Sequence, residues 1–334
     1  MKTNFPRQID RHDSLPVAAP PPNDAFKEEA DDVDRLIHHD NTFGTPEEDA
    51  FRRDFTLNAL FYDIDTFSII DYVGGIDDIR ARVIRCIGNP DERFQEDPVR
   101  MFRAVALASR LDFTIDEPVV QSIARQHGEL ARSAPPRLME EIYKVMRAGA
   151  AEKTFRTLVD TGLLAAIAPE VPGRITPAFW QSLAAVDAHR RAAAPGEGLP
   201  NALLLRSLLM PLGLLDQHHG RATKELGARF GMLPIARREV EHLRQILMIQ
   251  RHLRDLDAPP RHKRAVMHRS SFPGAVTWLE LHGNAPHMVT MWKALLAEHA
   301  LDAGSTPPTD DLPKRRRRRR RRRGGGNSAP PAAL

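Results

Sequence analysis

Cysteine is nearly absent: Cys86 is the only one in 334 residues. That excludes intrachain disulfides and cysteine-based zinc clusters. There is also no apolar run of the roughly eighteen residues that a membrane helix needs. The opening Met-Lys-Thr-Asn-Phe-Pro-Arg-Gln lacks the apolar segment of a secretory signal. A cytoplasmic protein without a membrane partner is the expectation. The histidines are scattered, and the adjacent pairs His38-His39 and His218-His219 cannot easily share one metal, so they read as surface residues.

Apolar residues make up 42% of the chain and charged residues 28%, enough core for two or three ordinary domains. The net charge of +4 is unevenly spread. Ten positive charges lie in one block: Lys314, Arg315, Arg316, Arg317, Arg318, Arg319, Arg320, Arg321, Arg322 and Arg323. The rest of the chain is therefore at −6, mildly acidic. Such a block repels itself and stays solvated, so residues 304–334 read as a disordered tail. It serves either as a solubilising segment or as a sequence-independent contact to RNA phosphates. Residues 1–35 carry Pro16, Pro20, Pro21 and Pro22 and the acidic stretch 28–32, with no periodicity, and read as loop or disorder.

Between these ends the pattern changes once. Residues 55–62 form an apolar run that fits helix or strand. Residues 68–73 are β-rich and stop at Gly74-Gly75, and 83–87 form a second short strand closed by Gly88-Asn89-Pro90. From Asp97 the period is helical, with Pro98 in the first turn. Helices are expected at about 117–129, 135–148, 151–166, 178–193, 200–213, 219–230, 235–252, 261–269, 273–282 and 286–300. The expected class is α+β: a partial head with a short mixed sheet at 36–91, a neck at 92–150 and a helical body at 151–303.

Two arginine-carboxylate clusters stand out. One is Arg52-Arg53-Asp54, leading the apolar run that contains Asn58; the other is Glu96-Asp97 with Arg100 and Arg103. Arginine offers a permanent charge and a forked donor set for phosphate. A carboxylate beside it can supply the acceptor edge that a base requires. Each cluster taken alone also fits a plain ion-pair ladder on a helix face. Asp63-Ile64-Asp65 spells Asp-x-Asp but lies between the two strand segments, where it reads as a turn rather than a metal pair.

Taken in series, these segments resemble the class II nucleotidyltransferases, the superfamily of bacterial poly(A) polymerases and CCA-adding enzymes. Residues 52–59 resemble motif B, 71–78 motif C and 96–100 motif D. Residues 133–144 resemble the next helix of that family, with Arg137 in a supporting place. The lead-in at 40–49, the Asp71-Tyr72-Val73-Gly74-Gly75 segment and the arginine tail favour poly(A) polymerase. The resemblance implies addition of AMP from ATP to RNA 3′ ends, with Mg²⁺ in the site and proteins of RNA decay as partners. It assigns Asp54 to the active site and Arg53 to the ribose or phosphates. Asp97 and Arg100 would read the base, Arg103 would reach the triphosphate, and Arg52, Asn58 and Glu96 would support them.

Two departures accompany it. Ala106 stands where the family's row of arginines continues. The metal-binding Asp-x-Asp that follows a Gly-rich segment in the family is not found before residue 36. An N-terminally shortened head, with weak or no adenylyl transfer on its own, is the expectation. A CCA-adding enzyme and a non-catalytic RNA-binding protein are the alternatives.

Overall fold

The structure, a computed structural model, describes residues 17–18, 44–194, 198–214 and 229–304. Contacts divide the chain into two units, Met1–Val289 and Thr290–Leu334. Small sheets and many helices make it α+β, and no described helix is long and apolar enough to cross a membrane. The expected tail beyond Gly304, the opening segment apart from two residues, and most of the helix expected at 219–230 lie outside the described residues.

The head begins with α1, Pro46–Arg52. Thr45 and Glu48 form a capping box: the Glu48 N–H donates to Thr45 Oγ1 (3.3 Å) and the Thr45 N–H to Glu48 Oε2 (2.8 Å). A turn of 3-10 helix at Thr56–Asn58 follows. Then β2 (Leu60–Asp63) and β3 (Ser68–Asp71) pair antiparallel from Leu60↔Asp71 to Asp63↔Ser68, and β1 (Val17–Ala18) joins β3 in parallel. The apolar run 55–62 is thus both helix and strand in turn. Asp63-x-Asp65 is the hairpin's turn, with Asp63 accepting from the Asp65 N–H at 3.0 Å and from Thr66 Oγ1 at 2.6 Å.

The segment after β3 is strand, turn and helix. Asp71 Oδ1 accepts the N–H groups of Val73, Gly74 and Gly75 at 3.1, 2.9 and 3.0 Å, and Oδ2 accepts that of Ile76 at 2.9 Å. These are the amides that helix α2, Gly75–Ala81, would otherwise leave unsatisfied. Gly75 has no substitute here, because a Cβ would come within 2.3 Å of the Thr56 carbonyl oxygen. Asp78 accepts from Thr56 Oγ1 (2.7 Å) and Arg85 Nε (3.0 Å), and Arg85 reaches Asp116 at 2.7 Å. β4 (Val83–Ile84) pairs in parallel with β5 (Thr114–Ile115), which ties the head to the neck.

The neck holds a helix that the sequence pattern does not show. α3 spans Pro90–Glu96, capped by Asn89, and α4 runs Val99–Leu111. Asp97 is therefore not on the face of one helix with Arg100 and Arg103. It is extended (φ −146°, ψ 93°) between the two helices. The reason is Pro98, whose ring drives the preceding residue out of the helical region. Helices α1, α2 and α3 have seven residues each, too short for periodicity to reveal.

Helix α5 (Glu117–Gln126) packs on α3 through polar contacts that converge on Asp91. Ser122 Oγ, Arg125 Nη2 and Gln126 Nε2 all donate to its carboxylate, at 2.6 to 2.8 Å. The Ser122 hydroxyl first, then Arg125, pull its pKa down to about 2. Because the folded pKa lies below the unfolded value, this contribution to stability is complete above the unfolded pKa of about 4 and is lost as pH falls toward 2. Asp91→Asn is expected to flatten that part of the acid-unfolding curve, followed by circular dichroism. An unchanged curve would show that the contact contributes nothing.

The body is helical: α6 (Pro135–Arg147), α7 (Ala151–Asp160), α8 (Leu163–Ile167), α9 (Pro177–Ala192), α10 (Asn201–Leu209), α11 (Arg237–Arg254), α12 (Pro260–Met267), α13 (Phe272–His282) and α14 (Pro286–Gly304). Phe155, Leu158, Leu163, Leu164, Phe179 and Leu183 are fully buried, each adding roughly 1.5–3 kcal/mol by leaving water. The single helix expected at 151–166 is broken at Gly162 (φ +75°). Arg229–Phe230, expected in a helix, is instead β6, paired with β7 (Leu233–Pro234). Gly231 sits at φ +60° with its Cβ direction only 2.2 Å from the Ile167 carbonyl oxygen, so tertiary contact imposes the hairpin.

Candidate nucleotide-binding cleft

Asp54 is held by strand-like pairing on both sides. Ile87 N–H donates to the Asp54 carbonyl (3.2 Å), Thr56 N–H to the Arg85 carbonyl (3.1 Å), and Phe55 bridges Cys86 while being fully buried. Its carboxylate Oδ1 accepts from the Phe55 N–H at 2.9 Å and from Asn58 Nδ2 at 3.0 Å. Oδ2 faces Arg103 Nη1 at 3.8 Å. Arg103 comes from α4 and extends its Nε and Nη2 to Glu141 Oε1 on α6, at 3.1 and 3.0 Å. Lys144 Nζ reaches the same oxygen at 3.0 Å.

These groups line a cleft of about 240 Å³, walled also by Ala106, Leu107 and Arg110 of α4 and by Thr154 of α7. Glu141 is almost buried (8% side-chain exposure) while Arg103 keeps 33%, so the carboxylate anchors and the guanidinium stays reachable. Three cations, Arg103, Arg110 and Lys144, face two carboxylates. The excess positive charge suits an anionic ligand, and Arg103 presents a fork to it. Cys86 is no nucleophile, since burial pushes its thiol up to about 11.

The remaining predicted residues form an ion-pair network outside the cleft lining. Arg53 donates to Asp49 Oδ2 through Nε (3.0 Å) and Nη2 (2.8 Å), and its guanidinium lies 4.9 Å over the Phe61 ring. Arg52 approaches Asp49 at 4.0 Å. Glu96 Oε2 accepts from Arg100 at 2.8 Å and from Arg93 at 2.9 Å. Asp97 takes both Nη groups of Arg137, at 2.9 and 2.5 Å. So the structure brings together Asp54, Asn58 and Arg103. Arg52, Arg53, Glu96, Asp97, Arg100 and Arg137 instead lace α1, α3, α4 and α6 around them.

Four functional candidates escape the sequence reading. Arg93 donates to the carbonyls of Arg52 and Arg53 at 2.8 and 2.7 Å, fixing the segment that carries Asp54. Arg110 lines the cleft one turn beyond Ala106. Glu141 and Lys144 lie in the 133–144 stretch, yet nothing in their spacing shows that Glu141 meets Arg103, 38 residues away, with Lys144 on the same carboxylate oxygen.

The described residues do not fit a two-ion magnesium centre. No three His, Cys, Asp or Glu side chains converge among them. Asp54 and Glu141 are already engaged by donors, and Asp63 is folded onto its own turn.

Two family models match the chain: the poly(A) polymerase head domain over residues 23–85, and the probable RNA- and SrmB-binding site of polymerase A over 112–173. Poly(A) polymerase I of Escherichia coli O6:H1 (strain CFT073) is 43% identical over 136 residues, 41% of this chain and 29% of the relative. The CCA-adding enzyme of Lactobacillus johnsonii is 40% identical over 126 residues, 38% of this chain and 30% of the relative. In each case the match spans less than a third of the relative's length. The Bacillus stearothermophilus CCA-adding enzyme, solved in complex with CTP, aligns with a TM-score of 0.53 and 26% identity over 77% of this chain and 60% of that one. Segments that match the head model and the RNA-binding-site model thus occur in order along one chain, and through them the protein is similar to the nucleotidyltransferase superfamily of the poly(A) polymerases and CCA-adding enzymes.

Proposed function

We propose that this chain is a poly(A) polymerase-type nucleotidyltransferase segment that binds ATP in the Asp54–Arg103–Glu141 cleft and an RNA 3′ end on its neck and helical body. The observation that carries the reading is the cleft itself: three cations around two anchored carboxylates, where a head segment meets a neck helix. Arg103 and Lys144 would take the triphosphate, with Arg110 beside them. The network around Asp97 and Arg100 would read the base, after exchanging its internal partners for the base edge. The head, neck and body would divide near residues 91 and 150, and proteins of RNA decay would be its partners in the cytoplasm.

Poly(A) addition is favoured over CCA addition by the lead-in at 40–49 and the arginine run at 315–323, both habits of poly(A) polymerases. The described residues would bind and orient the nucleotide, and no three carboxylate, histidine or cysteine side chains converge among them for a metal ion. The expected outcome is therefore ATP and oligo(A) binding with weak primer extension. Incubation with ATP, CTP, Mg²⁺ and an oligo(A) or tRNA primer tests this, with the products sequenced. A-only tails support the reading, a CCA end assigns the chain to the other branch, and rapid extension would overturn the expectation of weak activity. Absence of any nucleotide or RNA binding would sink the proposal.

A further inference from the structure

The helical body has a basic corner. Residues 251–269 hold six Lys or Arg against two Asp, with three histidines among them. They form the last turn of α11, the Pro259-Pro260 connection and α12. In the first half of α11, Arg238 pairs with Glu239 at 3.2 Å and Arg244 with Glu241 at 2.6 Å. Beyond them Arg251, Arg254, Arg261, Arg264 and Arg269 are all exposed, and none pairs with a carboxylate among the described residues. Lys263 is differently occupied, donating to the Leu256 carbonyl at 2.6 Å.

At the centre of the corner two imidazoles meet. His262 Nε2 lies 3.3 Å from His252 Nδ1, and Arg251 Nε points at His252 Nε2 from 3.4 Å. A guanidinium only donates, so His252 Nε2 is an acceptor here. The neutral His252 ring then carries its proton on Nδ1 and gives it to His262. The contacts run Arg251 to His252 to His262, long and weak, and they work only while both rings are neutral. Burial, then the charges of Arg251, Arg269 and His262, hold the pKa of His252 below its ordinary value, and Asp255 alone pulls it upward. Positive groups are thus gathered around His252 with Asp255 as the one anion acting against them there.

We infer that this corner binds a phosphodiester of single-stranded RNA, with Arg251 and Arg269 contacting the phosphate oxygens and the His252–His262 pair taking up a proton as it binds. The inference rests on the RNA-binding reading above and gives it a second location, outside the matched RNA-binding segment. A phosphate placed between the guanidinium groups reverses the local field. It replaces one weak imidazole-imidazole contact with charge-assisted bonds from an imidazolium and two arginines. The arginine run at 315–323 does not titrate near neutrality, so pH separates this corner from the tail.

The test is fluorescence anisotropy of labelled oligo(A) with the full chain, at constant ionic strength, from about pH 8 down to about 5.5. If the phosphate raises the imidazole pKa by about one unit, affinity rises by up to about tenfold at the low end. The double variant His252→Asn, His262→Asn should lose that rise, so that its affinity stays nearly constant over this pH range. Arg251→Gln with Arg269→Gln should weaken binding throughout and lower the salt slope by roughly 0.7 for each phosphate that is no longer neutralised. Circular dichroism verifies that each variant is folded. A histidine double variant that keeps the full pH dependence overturns the inference and leaves the RNA reading intact; a parent that binds no oligo(A) overturns both. Titration of the histidine ring signals by NMR with inorganic phosphate is the second arm. A response to inorganic phosphate without one to RNA would make free phosphate the ligand and overturn the RNA assignment.

Discussion

Replacing Arg103 with Ala is expected to lower the affinity for ATP by about ten- to a hundredfold, as measured by isothermal titration. A charge-assisted hydrogen bond contributes roughly 1.5–3 kcal/mol, and Arg103 has both an anchor on Glu141 and a reachable face. Glu141 holds two of its nitrogens, so the guanidinium is pre-oriented and little side-chain freedom is lost on binding. Arg103→Lys should recover only part of the loss, because an ammonium cannot donate to Glu141 and to a phosphate as a planar fork. AMP serves as the control: if Arg103 meets the outer phosphates, AMP affinity changes much less. Glu141 keeps Lys144 at 3.0 Å in the variant, so the fold should survive. Equal ATP affinity in parent and variant would remove Arg103 from the site.

Asp71→Ala is expected to destabilise the head by about 3 kcal/mol or more, read as a shift of the urea midpoint. Four backbone amides, those of residues 73 to 76, donate to this one carboxylate, which is 8% exposed. Removing it strands the buried Gly75 amide and three part-buried ones, and a buried donor costs roughly 1–3 kcal/mol when no water replaces the acceptor. Asp71→Asn should fall between, since its amide oxygen still accepts but carries no charge toward the first turn of α2. A midpoint like that of the parent in Asp71→Ala would show that water takes over the cap. The result bears on function as well. The Asp71–Asp78 segment resembles a nucleotidyltransferase motif, yet every polar contact of its two outer aspartates is spent on the head's own backbone or on Thr56 and Arg85. Its part is to hold the strand-turn-helix under the segment bearing Asp54.

Much of the fold is legible along the chain, and the failures share a cause. Strand β3 shows as a β-rich run ended by Gly74-Gly75, whereas β2 lies in a run that fits helix or strand equally. Most body helices show because eight or more residues reveal a 3.6 period. Helices α1 to α3 are hidden because seven residues are two turns, and their signals are caps, Thr45 and Asn89, rather than stripes. Arg229–Phe230 is misread as helix because its strand is imposed by the close approach of Gly231 to the end of α8, a contact made across more than sixty residues.

The candidate site divides in the same way. Residue type and order by themselves carried the resemblance to the nucleotidyltransferase superfamily and marked the two arginine-carboxylate clusters, with Asp54 in one and Arg103 in the other. Those are local properties, written in charge set beside apolar segments. Only the tertiary structure decided which charges share a cleft. Pro98 turns Asp97 away from the Arg103 face, Arg137 then occupies it, and α6 delivers Glu141 and Lys144 to Arg103 from about forty residues away. A carboxylate's partner is settled by distances of a few ångströms in space, and sequence separation carries no information about those once the chain has folded back on itself.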